Sequence, residues 1–201
     1  MLGGDGCRLE RDVLAAREVD ELRELVPAAG AGWRTVLDDP RVHHWVSRLR
    51  ERLLPQGFAA VRGLLFDKSA DANWALGWHR DTSVAVAERQ ELEGWGPWTV
   101  KEGVTHVIAP RAFLETMMTL RVHLDEVDED NGPLRVKRGS HVADDGAEYT
   151  CLANAGDVLV FSPLVLHASS SALRPRRRRV LQLEFASVPL PVPLRWRWWV
   201  A

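Results

Sequence analysis

The chain changes its hydrophobic period once. Up to about residue 55 the apolar positions recur at helical spacing. Leu14, Leu22, Leu25 and Val26 do so loosely in a charged segment, and Val42, Trp45, Val46, Leu49 and Leu53 more strictly. Pro27 to Gly32 separates the two helices this predicts, and Pro55 closes the second. From Ala59 onward the runs are short and bounded by Gly, Pro, Asn and Asp. They predict strands over 59–66, 75–79, 119–127, 134–137, 158–161, 164–167 and 179–186, with a turn at Asp130-Asn131-Gly132-Pro133. Residues 84–116 are too long for a plain connection and read as a lid-like insertion.

Helices followed by many short strands predict a mainly β fold, a sandwich or barrel with N-terminal helices packed outside. A length of 201 residues suits a single domain. Its expected parts are a helical region at 1–55, a β core at 59–186 and a Trp-rich C-terminal segment at 187–201. Hydrophobic residues at 46% can fill a core, which excludes a wholly disordered chain. No apolar run is long enough to cross a membrane. Met1 to Gly6 carries no basic-then-apolar leader, so no signal peptide is expected, and the cysteine usage points to a reducing cytoplasm. Cys7 and Cys151 are the only cysteines, too few for a disulfide framework or a cysteine zinc site. A net charge of −2 makes a general nucleic-acid binder an unfavoured reading.

The candidate chemistry begins at His79-Arg80-Asp81. In an extended segment residues i and i+2 face one side, so an imidazole and a carboxylate project together. These are two of the three ligands of a 2-His-1-carboxylate site. His167, at the end of the apolar run from Val158, is a candidate third. Arg178 follows eleven residues later on the next predicted strand. Alternation places Arg178, Val180, Gln182 and Glu184 on one face, and Arg179, Leu181, Leu183 and Phe185 on the other. The more polar face would line the interior. A guanidinium there needs a carboxylate, which a dicarboxylate cosubstrate would supply. The other readings of Arg176 to Arg179 are a solvated charge run or a nucleic-acid patch.

The order His79-x-Asp81, Asp128-Glu129-Asp130-Asn131-Gly132-Pro133-Leu134, Gly139-Ser140-His141, Gly156-Asp157, His167 and Arg178 resembles the phytanoyl-CoA dioxygenase family. The resemblance runs from about Ala59 to Ala186. It implies a double-stranded β-helix, the jelly-roll of the cupins. It also implies Fe(II) held by His79, Asp81 and His167, and 2-oxoglutarate held by Arg178, with Ser169 and Arg121 as further cosubstrate candidates. The implied reaction uses O2, releases succinate and CO2, and oxidises a C–H bond of a small molecule. Halogenases of this kind lack the carboxylate, so Asp81 implies hydroxylation, or desaturation or ring closure, rather than halogenation. Two departures stand out. Arg121 occupies a place where a large residue such as Trp is common, and the family's usual Asn is missing from 168–177.

Candidate substrate contacts are Lys68 and Asn73 just before the metal motif, and Lys101 and His106 in the insertion. The last two suit an anionic or polar substrate. The alternation of Trp196, Arg197, Trp198 and Trp199 fits a barrel cap, a partner surface or a dimer contact. Two other functions remain open at this point: a cupin-like metalloenzyme that does not use 2-oxoglutarate, and a non-catalytic binding protein. Oligomeric state is not legible.

Overall fold

The strand alternation at the end of the chain organises the molecule. In the structure, a computed structural model that describes residues 2–25 and 32–201, strand β12 (Arg178–Ala186) lies inside a five-stranded antiparallel sheet. Its order is β1 (Cys7–Glu10), β10 (Val158–Phe161), β7 (Met117–His123), β12, β2 (Ala59–Lys68). A second sheet has the order β3 (Leu76–His79), β11 (His167–Ser169), β8 (Leu134–Arg138), β9 (Ala147–Cys151). A third, three-stranded sheet places β6 (Val104–Ile108) between β4 (Ser83–Val86) and β5 (Trp98–Lys101). This is the expected mainly β jelly-roll.

Helices α1 (Ala16–Leu25) and α2 (Pro40–Leu53) cover the outer face of the large sheet. Their apolar stripes, Val19 and Leu22 on one and Val42, Trp45, Val46 and Leu49 on the other, share a core with Leu120, Val122, Leu181, Leu183 and Phe185. Asp39 caps α2 by accepting from the Arg41 backbone N–H at 3.0 Å, and Pro40 occupies the first turn. Glu18 of α1 ties the two helices together through Arg48 and Arg52.

The inner face of the large sheet has two halves. Under β1 and β10 it is apolar: Leu159 and Phe161 pack on Leu134, Val136, Cys151 and Val165 from the second sheet and its turn. Under β7, β12 and β2 it is polar. There the register sets Lys68 opposite Arg178, Val180 opposite His123, and Gln182 opposite Arg121. The space between the sheets at the polar half is a cavity of about 370 Å³.

Several expected boundaries move. The N-terminal region is not wholly helical, because Cys7–Glu10 pairs with Val158–Phe161 as an edge strand. Val26 and most of the Pro27 to Gly32 break lie outside the described residues. Strand β7 ends at His123 rather than residue 127, and 164–166 form a turn with the strand beginning at His167. The insertion at 84–116 is folded. It carries the three-stranded sheet and the short helix α3 (Arg111–Leu114), whose hydrophobic residues pack with Trp95, Trp98 and Trp196. The C-terminal segment packs on its own chain. Val200 bridges Ala60, Trp196 bridges Val86, and Trp198 donates to Asp38 at 2.7 Å.

Candidate metal centre and cosubstrate pocket

His79 closes β3 and His167 opens β11, and the two are cross-strand partners. Their rings lie 4.2 Å apart. Each imidazole engages a backbone carbonyl two residues before it through Nδ1, His79 with Gly77 at 2.8 Å and His167 with Val165 at 3.0 Å. That leaves Nε2 of both rings aimed at Asp81, at 3.7 and 3.6 Å from its two oxygens. Asp81 follows the end of β3 and is held by its backbone N–H donating to the Pro163 carbonyl at 3.0 Å. One ligand atom from each of the three residues lies within 4.8 Å of the others, the donor set of a 2-His-1-carboxylate iron site. Arg80, between the two, turns away and donates to the Leu164 and Ser140 carbonyls.

Burial opposes charge on Asp81, but His167, Arg62, His79 and the Gln182 amide outweigh it, and its carboxyl stays below the usual range. Gln182 was legible in sequence only as a polar residue of the inner face. Here its Nε2 donates to Asp81 Oδ2 at 3.1 Å and its Oε1 accepts from Arg121 Nη1 at 3.0 Å. The amide can adopt only this orientation, since a guanidinium only donates and a carboxylate only accepts. Arg62 was also missed. A basic residue inside an otherwise apolar strand was the available signal. It pairs with buried Glu184 at 3.0 Å, whose carboxyl burial pushes up to about 7 against the pull of that arginine.

Arg178 points into the cavity and is 2% exposed. Its Nε and Nη1, Arg121 Nε and both ring nitrogens of His123 are buried without a hydrogen-bond partner among the described residues. Burial lowers Arg178 to about 10; burial and then Arg178 lower Arg121 to about 9, so both keep their charge at neutral pH. Neither has a carboxylate partner among the described residues. The flanking arginines do. Arg176 pairs with Asp128, Arg177 with Asp67 at 2.9 Å and Arg179 with Asp125 at 2.8 Å. The basic run is therefore matched one residue at a time except where it enters the cavity, which leaves little of a nucleic-acid patch.

Ser169 and Arg121 both line the cavity. The four substrate candidates do not stay together. Lys101 lines the cavity wall. Lys68 is buried behind it, donating to the Ser170 carbonyl at 2.7 Å, and burial followed by Arg178 and Arg121 lowers its pKa to about 8. Asn73 is a loop clamp: its amide donates to Ala172 O at 3.0 Å and accepts from Ala172 N at 2.7 Å, which leaves little for a ligand. His106 is 2% exposed, bonded to the Val104 carbonyl, and lowered to about 4 chiefly by burial, so it is neutral.

The profile of the phytanoyl-CoA dioxygenase (PhyH) family matches residues 10–180. No curated protein matches the sequence. Among solved structures, the fold is similar to the non-heme alpha-ketoglutarate-dependent carbocyclase SnoK from nogalamycin biosynthesis (TM-score 0.66, 15% identity, 91% of this chain and 80% of that one). It is also similar to HygX from Streptomyces hygroscopicus with nickel and 2-oxoglutarate bound (TM-score 0.61, 15% identity, 91% and 83%). A third is the non-heme alpha-ketoglutarate-dependent epimerase SnoN, also from nogalamycin biosynthesis (TM-score 0.58, 16% identity, 90% and 76%).

Proposed function

The chain belongs to the phytanoyl-CoA dioxygenase family, and from that premise we propose that it is an Fe(II)- and 2-oxoglutarate-dependent oxygenase that hydroxylates a C–H bond of a small molecule. The observation that carries this reading is Arg178, a buried guanidinium with unpaired N–H groups facing the same cavity as the His-Asp-His cluster. Such a group needs an anion, and a dicarboxylate that reaches from the metal to the arginine supplies it. The fit of iron rests on the donor set itself: two imidazoles with Nε2 facing one carboxylate, the set of non-haem iron oxygenases with open positions. Bound there, iron with 2-oxoglutarate and O2 supplies the oxidation of a C–H bond, with succinate and CO2 as coproducts.

The chain's own residues do the rest. His79, Asp81 and His167 would hold the metal, with the Gly77 and Val165 carbonyls fixing both tautomers. Gln182 holds Asp81 in place and passes its own orientation to Arg121. Arg178 would bind the far carboxylate of 2-oxoglutarate, with Ser169 and Arg121 beside it. Leu64, Phe66 and Leu134 add apolar surface to the lining, which would help exclude water from the reacting position. Asp81 would supply a carboxylate ligand to the metal, which supports hydroxylation over halogenation.

The test is uncoupled turnover: conversion of 2-oxoglutarate to succinate that depends on added Fe(II) and O2. Asp81→Ala is expected to lower it by more than the roughly 10–100-fold typical of losing an outer hydrogen-bonding partner of a metal site. Full consumption of 2-oxoglutarate by that variant would overturn the assignment. With a substrate in hand, a product that gains one oxygen atom separates hydroxylation from desaturation or ring closure.

A further inference from the structure

The cavity lining carries a second group of cationic residues besides Arg121 and Arg178. On β5, Thr99 and Lys101 are two residues apart and line the cavity together. Arg62 and Arg34 reach the same wall, but each has a carboxylate of its own, Glu184 at 3.0 Å and Glu102 at 2.9 Å. Lys101 has no ion pair and no side-chain hydrogen bond among the described residues. Thr99 and Lys101 are solvent-exposed where they line the cavity, and burial, Arg62 and Arg34 lower the Lys101 pKa against the opposing pull of Asp81 and Glu184.

Charge matching on the opposite wall points the same way. Lys68, Arg121 and Arg178 bring three positive charges, and a divalent metal would bring two more. Asp81 and one dianionic cosubstrate cancel three of these five. A positive surplus therefore remains before Lys101 is counted. The lining also carries apolar surface, with Phe66 and Trp74 beside Arg121 and Lys68, and with Leu76 and Ile108. The volume, about 370 Å³, lies near the small end of the ~300–1,000 Å³ range of ligand pockets, so the occupants are small. One unpaired ammonium beside one hydroxyl suits a single negative charge better than a phosphate dianion, which calls for more donors.

Resting on the reading of this cavity as an iron and 2-oxoglutarate site, we propose that the substrate is a small monocarboxylic acid with an apolar body, its carboxylate bound by Lys101 and Thr99. The body lies along the apolar lining, with the reacting carbon toward His79 and Asp81. Lys101 is then a specificity-determining residue, and Arg62, neutralised by Glu184, sets the field around it.

The test is calorimetric titration of the protein loaded with redox-silent Ni(II) and saturating 2-oxoglutarate. The probes are hexanoate, octanoate, phenylacetate and 3-phenylpropanoate, each against its primary amide. At least one acid is expected to bind about tenfold tighter than its amide, the scale of a hydrogen bond to a charged group. Lys101→Ala should erase that preference, Lys101→Arg should retain it, and both should leave 2-oxoglutarate affinity within about twofold of wild type. Acids and amides binding alike, no acid binding at all, or a preference that survives Lys101→Ala would each overturn the proposal. Its failure is separable from failure of the cosubstrate reading. In the first case 2-oxoglutarate still binds and depends on Arg178; in the second it does not bind.

Discussion

Burying a guanidinium with N–H groups unpaired costs folding free energy, and Arg178 carries that cost in the ligand-free protein. Arg178→Met keeps the side-chain length and removes the charge. The ligand-free variant is expected to melt at the wild-type temperature or above it, by up to the ~1–4 kcal/mol seen when buried ionic groups become apolar. A midpoint several degrees lower, read by calorimetry, would make Arg178 a structural residue. Lys68 gives a pH signature at the same scale. Its pKa is lowered to about 8, by burial first and then by Arg178 and Arg121. A bound dianion favours the protonated amine, so 2-oxoglutarate affinity should be level below pH 8 and fall as pH rises above it. The slope approaches tenfold per unit while the free site loses its proton and the bound one keeps it. Lys68→Met should remove the fall between pH 8 and 9, and a wild-type profile flat from pH 7 to 9 would contradict it.

Among the elements, β12 sets the site, because its alternation decides which arginines face the cavity. Asp125 fixes that alternation. It accepts from the Arg179 backbone N–H and from its guanidinium, each at 2.8 Å, and also from Arg23. Asp125→Ala leaves those donors without their carboxylate and should cost about 3 kcal/mol by urea denaturation. A loss below about 0.5 kcal/mol would place the register elsewhere. This element was legible in sequence because its two faces differ so sharply: Arg178, Gln182 and Glu184 alternate with Leu181, Leu183 and Phe185, which pack on the helices. Strands such as β2 and β10 were legible as dense apolar runs. The β4–β6–β5 sheet was not. Its strands are four or five residues long, separated by Gly94, Gly96, Pro97 and Gly103, and that punctuation reads as loop. Cys7–Glu10 was hidden for another reason: an edge strand gets its identity from its partner β10, not from its own pattern.

At the scale of the whole molecule, the fold keeps its apolar and polar tasks apart. One half of the sandwich is filled by Leu159, Phe161, Val136 and their neighbours, while the other stays open around charged groups. The sequence motifs located the His-Asp-His cluster through the His79-x-Asp81 spacing and the imidazole ending an apolar run at His167, and Arg178 through strand alternation and motif order. They could not locate Gln182 or Arg62, whose meaning depends on strands 60 or more residues away. Nor could they tell Lys101, which lines the cavity, from Asn73, whose amide is used up in local bonds, and His106, which is buried off the cavity lining. The central claim is that one cavity holds iron at one wall and 2-oxoglutarate between that iron and Arg178. The most direct measurement is an anaerobic titration of Fe(II) and 2-oxoglutarate into metal-free protein, following the visible metal-to-ligand charge-transfer band. The account predicts a band in the wild type that is lost in Arg178→Ala at matched cosubstrate. Iron that binds without any such band would contradict it and leave a metalloenzyme that works without 2-oxoglutarate.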